Sequence, residues 1–122
     1  MWLREPAWLR EGSAEFTGTF GAASLGLLDF NTFKAFYISS AKQASGPLDA
    51  CVTAPTTALS CEYSLGFVAV DYLFSRNGGW PAQIMFWKLL GDVLYWERAF
   101  QTAFGRNVET FYAEFEEFRK TL

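Results

Sequence analysis

Glu62 to Phe74, EYSLGFVAVDYLF, is the stretch that most constrains the fold. Read as a helix, it carries Leu65, Phe67, Val68, Val70, Tyr72, Leu73 and Phe74 on almost every side, and Glu62 and Asp71 are its only charges. A helix that is apolar all round belongs at the centre of its fold, because none of its faces suits water. The other segments therefore read as what surrounds it.

Pro6 at a first helical turn, followed by Ala7, Trp8, Leu9, Ala14 and Phe16, marks a helix that runs toward Phe20 and ends loosely in Gly21 and the small residues Ala22 to Gly26. Asp29 or Asn31 can cap a second helix with Phe33, Phe36, Tyr37 and Ala41 along its apolar stripe, ended by Ser45-Gly46-Pro47. Residues 46–61, with Pro47, Pro55 and several threonines, suit neither helix nor strand and read as one long irregular loop. After the central helix, Ser75 to Gly79 is a stop, with a left-handed residue expected at Asn77 or Gly78.

Pro81 opens a fourth helix expected to turn Ile84, Met85, Trp87, Leu89 and Leu90 inward. Asp92 is the expected cap of a fifth, with Val93, Trp96, Ala99, Phe100, Ala103 and Phe104, stopped by Gly105. Asn107 caps a sixth, with Val108, Phe111, Tyr112, Phe115, Phe118 and Leu122 on one face and Glu109, Glu114, Glu116 and Glu117 toward water. The expected fold is all-α: a compact bundle of about six helices forming a single helical domain over residues 1–122.

At this length a core is attainable without metals. With 51% hydrophobic residues, 13 Phe and 5 Trp, the chain holds more large apolar surface than such a core needs, so some of it should meet a partner. Ten Lys plus Arg against 13 Asp plus Glu, none of the cations clustered, speaks against nucleic acid as that partner. No apolar run is long enough for a membrane span, and MWLREPAWLRE has no signal-peptide core, which favours a cytoplasmic over a secreted protein unless the start is not the natural one. Cys51 and Cys61 either form a bridge closing a short loop or stay as two reduced thiols, the absence of a secretion signal favouring the thiols.

Glu11 and Glu15 stand four apart on the first helix and can face one pocket, as paired carboxylates must for acid–base work or metal binding, although acids near a helix start are commonly just solvated. Tyr63, opening the central helix, can donate its phenolic proton to an oxyanion or simply fill space. The segment Trp8-Leu9-Arg10-Glu11-Gly12-Ser13-Ala14-Glu15-Phe16 resembles the W-L-x-E-G-x-A-x-[YF] segment of gluzincin metallopeptidases of the peptidase-MA type. Tyr63-Ser64-Leu65-Gly66, continued to Leu73, is similar to the same family's Y-x-x-G helix, and the tail from Ala99 to Phe115 resembles its helical end. The resemblance implies that Glu11 corresponds to the third zinc ligand and Tyr63 to the tyrosine that stabilises the tetrahedral intermediate.

The family's H-E-x-x-H helix, which supplies two zinc ligands and the general base, should precede this region, yet the chain contains no histidine. By itself it is therefore expected to hold no catalytic metal, to need no cofactor and to cleave no peptide, with zinc entering only if a partner brings H-E-x-x-H. Three functional expectations remain. One is a stand-alone, non-catalytic form of the helical part of such a domain, which self-associates or binds a partner or peptide. The others are a fragment active only with a missing amino-terminal part, and a carrier of a small apolar ligand in an aromatic cavity. A homodimer through the first helix and the helices near Trp80, Trp87 and Trp96 is the simplest cover for the surplus apolar face.

Overall fold

The central helix, α3, spans Cys61–Arg76, and Ser64 to Val70 are seven consecutive buried residues. No amphipathic helix can bury that many in succession, so packing on all sides is what this sequence requires. The computed structural model describes residues 4–54, 59–92 and 95–122; the expectations for Pro55 and Val93 lie outside them. Among these residues the chain is all-α, with α1 (Ala7–Ser24), α2 (Phe30–Ala41), α3, α4 (Gly79–Leu90), α5 (Trp96–Phe104) and α6 (Val108–Arg119), one 3-10 turn at Leu48–Ala50 and no strand. It divides into two compact units, Pro6–Asp71 and Tyr72–Thr121.

In the first unit α1 passes through Gly21 and stops three residues beyond it, at Ser24, later than its composition suggests. The stop comes from Gly26 at φ 74°, where the Leu27 N–H reaches back to the Ala22 carbonyl and the Gly26 N–H to that of Ala23. This closing turn needs a left-handed residue and satisfies the last carbonyls. Asp29, not Asn31, caps α2: its Oδ2 accepts from the Thr32 N–H at 2.9 Å and the Thr32 hydroxyl at 2.8 Å. Those bonds favour the charged form and hold the carboxyl below its ordinary range.

The face that α2 turns inward keeps only part of the expected stripe. Tyr37, Ser40 and Ala41 are buried, while Phe33 is 40% and Phe36 54% exposed. Apolar residues lie on both sides of this helix, and spacing alone does not say which side has a neighbour. Residues 45–54 are more ordered than an irregular loop: Ser45 and Val52 exchange backbone hydrogen bonds of 3.0 and 2.7 Å, Leu48 is buried, and Cys51 is bonded to Cys61. Gly46, at φ 81°, makes the turn possible, since a Cβ there would lie 2.8 Å from the Ala50 carbonyl oxygen.

The second unit begins in the last turn and a half of α3. The left-handed residues are Gly78 and Gly79; Asn77 instead stays right-handed and donates its side-chain N–H to the Phe104 carbonyl at 3.3 Å. Helix α4 buries Ala82, Gln83 and Phe86; of the residues expected inward, Ile84 and Met85 are exposed and Trp87, Leu89 and Leu90 half-buried. Asp92 does not cap α5. Its N–H closes a turn on the Leu89 carbonyl, and Tyr95 holds the cap position without a side-chain bond. Gly105, at φ 71°, ends α5 as expected, and the Asn107 side chain caps α6 by accepting from the Thr110 N–H.

The core of this unit is aromatic. Phe100 packs on Phe104, Phe111 and Trp96, Phe86 on Phe104, and Tyr72 on Phe111, Phe115 and Phe118 with the Arg76 guanidinium 4.0 Å over its ring. Trp96 is thus core, and Trp80 and Trp87 are half-buried against Phe74 and Phe86. Among the described residues the tryptophans are buried or half-buried, and the exposed apolar side chains of the helix that carries Trp80 and Trp87 are Ile84 and Met85. In the Pro6–Asp71 unit such side chains include Phe33 and Phe36 on α2 and Phe20, Leu25 and Leu27 around the end of α1. No described helix is long and apolar enough to cross a membrane.

Candidate functional site

Where α1 meets α3, two glycines touch. A Cβ on Gly12 would lie 2.3 Å from the Gly66 carbonyl oxygen, and one on Gly66 would lie 2.6 Å from the Trp8 carbonyl oxygen. Real Cβ atoms do not approach backbone so closely, so this crossing exists only because both residues lack one. Glu11 precedes Gly12, and Tyr63 lies one turn before Gly66. The contact that brings the backbones together therefore also brings these two side chains face to face.

The Tyr63 phenol lies near the Glu11 carboxylate. The Glu11 charge first, then burial and the charges of Glu62 and Glu15, raise the Tyr63 pKa above its ordinary value, so the phenol stays protonated at neutral pH. Arg10 Nε lies 3.2 Å from Glu11 Oε1, in an exposed pair whose Glu11 side chain keeps 27% of its surface open. One turn along, Glu15 Oε2 accepts from the Tyr37 hydroxyl at 2.5 Å. Thr19 follows one turn further along α1, and the Tyr37 ring is stacked on Phe67 at 4.1 Å and 7°.

The three site residues expected from sequence, Glu11, Glu15 and Tyr63, thus lie in one neighbourhood on the α1 surface, joined by two residues that sequence reasoning did not single out. Spacing alone places Tyr37 in the apolar stripe of α2. The signal that could have found the row is the polar repeat Glu11, Glu15, Thr19 at four-residue intervals on a helix that apart from Arg10 is otherwise apolar or small, because such a repeat demands partners of its own kind.

Burial first, then the bond to Glu15, pushes Tyr37 up to about 12, against the opposing effect of Thr19. The folded form therefore holds its phenolic proton more tightly than the unfolded chain does. The resulting stabilisation is complete below the ordinary tyrosine range, near pH 10, and is lost as pH climbs from there toward 12. Thermal unfolding followed from pH 8 to pH 11.5 should show a midpoint that falls above about pH 10. Glu15→Gln, which removes the charge facing the phenol, should lower the Tyr37 ionisation pH in a ring-carbon NMR titration.

The arrangement does not by itself suit a zinc ion. Among the described residues no three His, Cys, Asp or Glu side chains converge to hold a metal, the sequence has no histidine, and Glu11 is already engaged by Tyr63 and Arg10. What the cluster offers is a partly exposed carboxylate with a protonated phenol beside it. Two surface grooves lie elsewhere: one of about 350 Å³ lined by Thr32, Phe33 and Phe36, and one of about 440 Å³ lined by residues of α5 and α6 that include Arg98 and Glu109. No protein-family model, curated protein or solved structure matches the chain.

Proposed function

We propose that this chain is, on its own, a non-catalytic helical module, and that its Glu11–Tyr63 face is the carboxylate-and-phenol half of a gluzincin-like site. The observation that supports this reading is the Gly12–Gly66 crossing. It brings together the two positions to which the resemblance assigns a zinc ligand and a transition-state donor, although they stand far apart in sequence. The pair stays partly exposed, as a group must be if it is to meet a second element.

Metal analysis of the purified chain tests the proposal. Dialysed against zinc, the chain alone should retain no stoichiometric metal, and Glu11→Ala should change nothing. Adding a helical peptide that carries H-E-x-x-H should produce zinc uptake that Glu11→Ala weakens. Tight zinc binding by the chain alone overturns the non-catalytic reading, and uptake indifferent to Glu11 overturns the half-site.

We place the self-association expected from composition on the α2 face, with a second copy of the chain as occupant. Phe33 and Phe36 are exposed side by side there, and the neighbouring cation Lys34 is already paired with Asp71 at 2.9 Å, which leaves a surface suited to an apolar partner of its own kind. Light scattering should find a dimer for the natural sequence and a monomer for the double variant Phe33→Ser, Phe36→Ser. Equal masses for the two proteins would remove α2 from the interface.

A further inference from the structure

The first turn of α3 is held from outside the helix. Cys61, its first residue, is bonded to Cys51, and the Cys61 N–H donates to the Thr53 hydroxyl oxygen at 2.8 Å. The Ser45–Val52 backbone pair fastens the same short segment just beyond the end of α2. Helix starts leave four N–H groups without partners. Here the Ser60 carbonyl takes those of Tyr63 and Ser64, and a side chain eight residues upstream takes that of Cys61. The cap of this helix thus comes from a segment tied to it by a covalent bond, and Tyr63 sits in the turn that this cap protects.

We propose that the Cys51–Cys61 disulfide is a redox-sensitive latch on the first turn of α3: closed, it keeps Thr53 on the helix end; open, it lets that turn fray. The latch does not depend on what the Glu11–Tyr63 pair does, so it stands or falls apart from the zinc reading. A dithiol reductant opens it. One thiolate attacks the Cys51 sulfur, which lies on the more exposed residue of the two, and displaces the Cys61 thiolate. The second thiol of the reductant then closes its own disulfide and releases Cys51. Two electrons and two protons pass to the protein as two thiols, and the reductant leaves as a disulfide.

Amide hydrogen exchange on the full chain, oxidised and after dithiothreitol with both thiols counted, tests the latch. The amides of Cys61, Tyr63 and Ser64 should exchange roughly tenfold faster or more after reduction, while those of α4 to α6 keep their rates. Thr53→Val, with the disulfide intact, should speed the same backbone amides by a smaller factor, about threefold. Unchanged exchange in this turn with two thiols free overturns the proposal. So does loss of protection throughout the chain, which would make the bridge a staple for the whole fold.

Discussion

Gly12→Ala is expected to destabilise the protein by about 3 kcal/mol, at the upper end for overpacking, although alanine is the better helix former. The new methyl would meet the Gly66 carbonyl at 2.3 Å, and backbone cannot move aside as a flexible side chain can. Helix propensity returns only about 1 kcal/mol of that cost. The same substitution elsewhere on α1 should have the opposite sign. At Gly18 and Gly21 a Cβ would find nothing within 4 Å, so Gly18→Ala and Gly21→Ala should each stabilise by about 0.5–1 kcal/mol. Urea unfolding of the three variants checks this, and equal shifts in midpoint would mean that α1 and α3 do not cross at their glycines. Because Glu11 and Tyr63 meet at that crossing, Gly12→Ala should also return the Tyr63 titration toward that of free tyrosine, whereas the two controls leave it unchanged.

Phe67→Ala should cost about 3–5 kcal/mol, a large share of the stability a domain of this size possesses. Phe67 is fully buried, and its ring contacts Phe16 at 5.5 Å, Phe30 at 6.1 Å and Tyr37 at 4.1 Å. Truncation leaves a cavity bounded by two helices besides its own, and three rings cannot all move to fill it. Tyr37 loses the surface on which it is stacked, so its ionisation should fall from about 12 toward the ordinary value in the same variant. A loss under 1 kcal/mol, read from urea midpoints at unchanged slope, would show that this ring is not the centre of the Pro6–Asp71 core.

The pH response and the latch share a physical origin with these effects. Two tyrosines from different helices face two carboxylates on α1, and each pairing is kept by the packing beside it: Gly12 on Gly66 for one, Tyr37 on Phe67 for the other. A change in the core should therefore be read out at the polar row, even where it touches none of its atoms.

Much of the architecture was legible in advance. EYSLGFVAVDYLF admits only a helix surrounded on all sides, and α3 is one. Asn107 with Val108, Phe111 and Phe115 places the sixth helix and its inward face, because there the apolar residues lie on one side and the acids mostly on the other. Asp29 and Gly105 act where their chemistry predicts. The inward faces of α2 and α4 were not legible, since both helices carry apolar residues around most of their circumference and either side could be covered. Asp92 misled for a related reason: a capping residue marks a possible start, and here the turn closed on Leu89 instead.

Local sequence by itself determined most of where helices run and stop and that one of them is buried on every side, because hydrogen bonding within a helix, left-handed glycines and apolar spacing act over a few residues. Only the tertiary structure decided that Glu11 faces Tyr63, that Tyr37 turns inward to Glu15 while Phe33 and Phe36 face water, and that Cys51 reaches Cys61. Those outcomes depend on which helix lies against which. That is decided by the close approach at Gly12 and Gly66 and by the shape of the rings around Phe67, between residues that no local spacing connects.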